Sequence, residues 1–87
     1  MQTADRQSHI EELVEARLNE ALPGALSLEL RELSRELLSD GFTREELLDA
    51  YARIALKLRR AGYEEYEDDI LEVMADLEGW GPPYAQI

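Results

Sequence analysis

Four glycines, Gly24, Gly41, Gly62 and Gly79, divide the chain, and between them apolar residues recur at helical spacing and never alternate as in a strand. That pattern restricts the fold to helices joined by short turns. The clearest start is Thr43, followed three residues later by Glu46 as a capping box, with Phe42 and Leu47 placed as a hydrophobic staple. The stripe Leu47, Leu48, Tyr51, Ile54, Ala55 and Leu58 follows, and Arg59 and Arg60 stand where the negative end of a helix dipole favours cations. Ser8 and Glu11 form a second such box at the start of the stripe Ile10, Leu13, Val14, Leu18, Ala21 and Leu22, and Pro23-Gly24 stops that helix. A leucine stripe, Leu26, Leu30, Leu33, Leu37 and Leu38, marks another helix, with Pro23 and Ser27 competing as its start and Asp40-Gly41 as its stop. The last begins near Glu64 and buries Ile70, Leu71, Val73, Met74 and Leu77, with Trp80 placed to fold back on Met74.

The expectation is an all-α fold: a small antiparallel bundle of about four helices, near 9–22, 26–39, 44–61 and 64–78, in a single domain over 1–80. Gly81-Pro82-Pro83 cannot continue a helix, so 81–87 reads as an extended tail. A chain of 87 residues buries roughly 60–65% of its unfolded surface, which makes an adequate but thin core. The chain has no cysteine, which excludes disulfides, thiolate metal sites and cysteine nucleophiles. A secreted domain of this size usually needs such staples. Met1 to Ile10 carries no apolar signal core, and no apolar run has the length of a membrane span. A cytoplasmic location is the resulting expectation.

Charge is distributed unevenly. The net is −11, with nine acids and four bases over 1–40, three acids and five bases over 41–62, and eight acids and no base over 63–87. Such acidity disfavours nucleic-acid backbones and anionic membranes, and suits a basic protein surface or a divalent cation. Glu64, Glu65 and Glu67 lie at a helix N-terminus, where the dipole stabilises anions by ~0.3–1 kcal/mol each. Glu65, Asp68, Asp69, Glu72 and Asp76 continue along one face, read as solvated, at spacings where like charges repel by a few tenths of a kcal/mol. A stripe kept at some cost in stability is a candidate binding surface, with Tyr63, Tyr66 and Trp80 as apolar anchors at its edge.

Catalytic chemistry is thinly represented. Ser8, Ser27, Ser34 and Ser39 have only His9 as a conceivable base, and no nucleophile-elbow motif surrounds them. A single histidine without cysteine does not make a zinc site, and no calcium loop is present. Two i, i+3 carboxylate pairs, Glu29/Glu32 and Glu46/Asp49, lie on consecutive helices, and if the helices faced each other four hard oxygens would suit Mg²⁺ with a substrate's phosphates. E-x-x-E followed by E-x-x-D, with "EELLDAYARIAL" as the second motif helix, resembles the MazG-type all-α nucleoside triphosphate pyrophosphohydrolases over residues 26–58. The resemblance implies Mg²⁺ held by these four acids for hydrolysis between the α- and β-phosphates. The run Leu71 to Trp80, L-x-V-M-x-x-L-x-G-W, resembles the ending of small acidic all-helical bacterial proteins of unknown function.

The leading expectation is a small binding protein that occludes a basic surface of a partner, of the immunity, antitoxin or inhibitor type, with no cofactor. The Mg²⁺-dependent pyrophosphohydrolase is the first alternative. The second is a self-associating structural protein, a homodimer formed through the leucine stripe of the second helix.

Overall fold

The computed structural model describes residues 2–22 and 24–79, so Trp80 and the tail 81–87 lie outside the described residues. Within them the fold is made of four helices: α1 (Gln2–Glu20), α2 (Leu26–Ser39), α3 (Arg44–Ala61) and α4 (Glu64–Glu78). No strand occurs among the described residues, and no helix among them is long and apolar enough to cross a membrane.

The turn chemistry explains the later boundaries. Glu46 N–H donates to Thr43 Oγ1 at 3.1 Å and Thr43 N–H to Glu46 Oε1 at 2.9 Å, which completes the capping box at the start of α3. Gly62, at φ +86°, adopts a left-handed conformation that residues with a Cβ rarely enter. It lets Tyr63 N–H reach back to Leu58 O at 2.9 Å, which closes α3 and turns the chain directly into α4.

The start of α1 corrects the sequence reading. The helix begins at Gln2, so Ser8 lies inside it rather than capping it. Residues 2–8 contain no glycine or proline to break a helix, and the turn they form has tertiary partners. Arg6 bonds both carboxylate oxygens of Glu46, through Nε at 2.5 Å and Nη2 at 2.9 Å, and lies 4.4 Å from the centre of the Phe42 ring. Glu11, the other half of the expected box, instead faces Lys57 Nζ at 3.7 Å. Tertiary pairing outweighs the local signal here.

The helices form two antiparallel hairpins, α1/α2 and α3/α4, laid against each other in a body of 31 × 30 × 20 Å. α3 packs on α4 and on α1, and α2 packs on α4 and, less extensively, on α1. Side-chain pairs give the directions. Arg6 meets Glu46 and Glu11 meets Lys57, so α1 and α3 run parallel. Gly24 meets Asp69 and Arg31 meets Asp76, so α2 and α4 also run parallel. Arg44 Nη1 donates to Leu77 O at 3.2 Å, so α3 and α4 are antiparallel. Consecutive helices α2 and α3 are therefore antiparallel, as in the expected bundle, but lie across the diagonal and do not face each other as the metal reading requires.

The core takes Ile10 and Val14 from α1, four leucines from α2, Leu47, Tyr51 and Ile54 from α3, and Ile70, Val73 and Leu77 from α4. Leu26, Leu30, Leu33 and Leu37 are all buried, so the leucine stripe of α2 is spent inside the bundle and is not left over for a dimer. One polar contact crosses the diagonal. Ser34 Oγ donates to Leu30 O at 2.7 Å and accepts from the Tyr51 hydroxyl at 2.6 Å. A fully buried phenol needs such a partner. Burial pushes the Tyr51 hydroxyl up to about 12, partly offset by the Ser34 bond and by the charge of Arg17.

Candidate functional site

The acids of α4 separate into two groups. Asp69, 7% exposed, accepts Gly24 N–H at 2.7 Å and fixes the turn between α1 and α2. Asp76, 2% exposed, accepts Arg31 Nε at 2.7 Å, and Glu72 accepts the same guanidinium at 3.2 Å. Burial of Arg31 opposes its charge, but hydrogen bonds and attraction from Asp76 and Glu72 prevail and leave its pKa raised. Glu72 shares Arg31 but its side chain stays 56% exposed, whereas Asp69 and Asp76 are tied into the bundle, and their reading as part of a solvated stripe is corrected. Both flank Ile70, Val73 and Leu77 on the face that packs against α2, where they take a base and a backbone donor that a count of charges within α4 does not include.

Glu64, Glu65 and Asp68 are different. All three are exposed at the N-terminal end of α4 and have no ion-pair partner among the described residues. Tyr63, 57% exposed, stands beside them. Its ring meets that of Tyr66 edge-on, with centroids 6.3 Å apart. Tyr66 is half-buried and its hydroxyl donates to Ala21 O at 3.1 Å, which ties the end of α1 to the start of α4. Leu18, Asn19, Leu58, Tyr63 and Tyr66 line an open cleft of about 380 Å³. A shallower hollow of about 320 Å³ runs along Gly24, Glu65, Asp68 and Asp69. Leu22, next in the chain to Ala21, is 75% exposed at this end.

The structure thus moves the candidate surface from the length of α4 to the end of the bundle where α1 finishes and α4 starts. Of the expected residues it gathers Tyr63, Glu65, Tyr66 and Asp68, and it buries Asp69 and Asp76; Glu72 remains exposed further along α4, in contact with Arg31. Trp80 lies outside the described residues. Leu18, Asn19 and Leu22 enter from α1, where helical periodicity alone assigns Leu18 and Leu22 to the core.

The four carboxylates of the metal reading are not brought together. Glu29 pairs with Arg17 at 2.8 Å, and Glu46 is engaged by Arg6 and by its cap. Glu32 is exposed, and among the described residues Asp49 makes only a long contact with Gln7 at 3.5 Å. The cause is the diagonal placement of α2 and α3, which keeps the two i, i+3 pairs apart. Hydrogen bonds from Arg6 and from the Thr43 backbone hold the Glu46 carboxyl down to about 2. Among the described residues no group of three or more His, Asp or Glu side chains is placed to hold a metal ion.

No protein-family model matches the chain, and neither a curated protein nor a solved structure matches it.

Proposed function

We propose that this chain is a binding protein that docks a basic surface of a partner through the end of the bundle around Tyr63, Tyr66, Glu65 and Asp68. The observation that carries the reading is the combination at one place of an exposed aromatic pair, an open apolar-sided cleft and carboxylates without ion-pair partners among the described residues. Tyrosines supply contact area at low conformational cost, and acids at the rim steer a Lys- or Arg-rich partner and fix its register. Asp69 and Asp76 are bound up in the fold, whereas Glu65 and Asp68 are exposed beside the cleft and able to act on a partner.

A partner surface rich in Lys and Arg is one that ordinarily receives an anion such as a nucleic-acid backbone. Covering it would block that activity, and the protein then acts as an inhibitor of the immunity or antitoxin kind, without catalysis of its own.

The test is an NMR titration of the full chain with a Lys/Arg-rich amphipathic peptide, repeated on Tyr63→Ala/Glu65→Lys/Asp68→Lys. Amide shifts should concentrate at residues 18–22 and 62–68, weaken with ionic strength and vanish in the variant. Shifts spread over the acidic surface and unchanged by the substitutions would mean that only net charge is being sensed, and the reading would fall.

A further inference from the structure

We propose that the outward face of α3 is the interface of a homodimer, in which two copies meet antiparallel across a two-fold axis between Ala52 and Arg53. Glu45, Asp49, Ala52, Leu56 and Arg60 follow i, i+4, i+7, i+11, i+15 spacing and form one stripe. Every one of them is exposed, and Leu56 is 48% exposed. The rest of the helix is occupied by α4 and α1.

The distribution of charge along this stripe selects the occupant. Glu45 and Asp49 lie in its first half, and Arg53, Arg59 and Arg60 in its second. In a chain of net charge −11 bases are scarce. Arg6, Arg17, Arg31 and Lys57 are used in ion pairs between helices, and Arg44 bonds the Leu77 carbonyl. Three of the remaining bases, Arg53, Arg59 and Arg60, stand together on this exposed face with no ion-pair partner among the described residues.

A second copy turned by 180° brings opposite halves together. Glu45 then faces Arg60 of the second copy, Asp49 lies between Arg53 and Arg60 of the second copy, and Leu56 packs beside Ala52. Because the contact is isologous, each attraction occurs twice. A parallel arrangement would set acid on acid and base on base. With one leucine and one alanine at the centre the interface is small, so the dimer is weak and dependent on concentration. The basic end of this stripe adjoins the acidic end across the Gly62 turn, but the two-fold contact is made by α3 alone, and the proposal does not depend on the partner assigned to the acidic end.

The experiment is sedimentation equilibrium of the full chain from about 10 µM to about 1 mM, spanning weak dissociation constants. The expected result is a monomer–dimer equilibrium. Glu45→Arg and Arg60→Glu should each weaken it at least about tenfold, because each creates two like-charge contacts. Mixing the two variants should restore association as a heterodimer. The two reversed charges then attract each other across one contact, and the native pair remains at the other. Circular dichroism confirms that each variant keeps its helix content. A monomer at every concentration would overturn the proposal. So would a dimer that neither substitution weakens, or two weakened variants that stay apart on mixing.

Discussion

Removing Arg31 should expose how the bundle carries its buried charge. Asp76 is 2% exposed and its only ion-pair partner among the described residues is Arg31, whose side chain is itself 14% exposed. Arg31→Met keeps the aliphatic stem that packs between α2 and α4 and deletes the guanidinium. A carboxylate stranded in a buried site typically costs about 3–5 kcal/mol, and the lower end applies here because water already reaches the Arg31 head. An unfolding entropy of ~2.1 cal/mol/K per residue translates about 3 kcal/mol into a fall in melting temperature of roughly 15 °C for a chain this long. The assay is thermal unfolding followed by circular dichroism at pH 7 for Arg31→Met, Asp76→Leu and the double variant. The double variant should recover most of the loss, because replacing a buried ion pair by apolar residues is often close to neutral. A single-variant loss under about 1 kcal/mol, or a double variant no better than the worse single, would show that Asp76 does not depend on Arg31. Charge reversals on α4 accordingly fall into two kinds: reversing Asp69 or Asp76 reports on folding, and reversing Glu65 or Asp68 reports on binding.

Other outcomes follow from the same structure. Tyr51→Phe leaves Ser34 bonded to Leu30 and should cost about 1 kcal/mol in a urea melt. Tyr51 ionises near 12 in the fold against 10.0 free, so the stability linked to it is present below about 10 and lost as pH rises through 12; alkaline unfolding with the phenolate absorbance as readout checks this. Glu46 titrates near 2 against 4.5 free, so its contribution is present above 4.5 and lost as pH falls through 2, and Glu46→Gln should flatten that limb of the acid melt and loosen the first turns of α1. Millimolar Mg²⁺ should raise the melting temperature no more than monovalent salt at matched ionic strength, because Glu29, Glu32, Glu46 and Asp49 do not converge; a specific rise would reopen the metal reading.

The helical architecture is legible in the sequence because its signals are local. Thr43 and Glu46 answer each other within one turn, and Gly62 ends α3 where the periodicity stops. The start of α1 is not legible, because what extends it is Arg6 meeting a glutamate forty residues away. The same holds for the site. Tyr63 and Glu65 can be read from their neighbourhood in the chain, whereas Asp69 and Asp76 pass for solvated acids because their partners, Gly24 and Arg31, sit on another element. A partial signal is present: Asp69 and Asp76 fall on the same stripe as Ile70, Val73 and Leu77. The metal reading fails on topology, since spacing along a chain does not state which consecutive helices are neighbours.

The unequal anchoring of α1 has a kinetic consequence. Among the described side chains its fully buried apolar residues are only Ile10 and Val14, and much of its remaining hold on α3 is ionic, through Arg6 and Lys57. The α3/α4 hairpin, by contrast, closes over a tight turn with apolar contacts near in sequence, which favours early formation. α1 is then the last segment to dock and the first to open, with its amides exchanging hydrogen ahead of those of α3 and α4. Each such opening would bare the side of α3 that carries Ala50 and Ile54, so the rate at which this protein yields to a protease or a chaperone is set by the breathing of one helix.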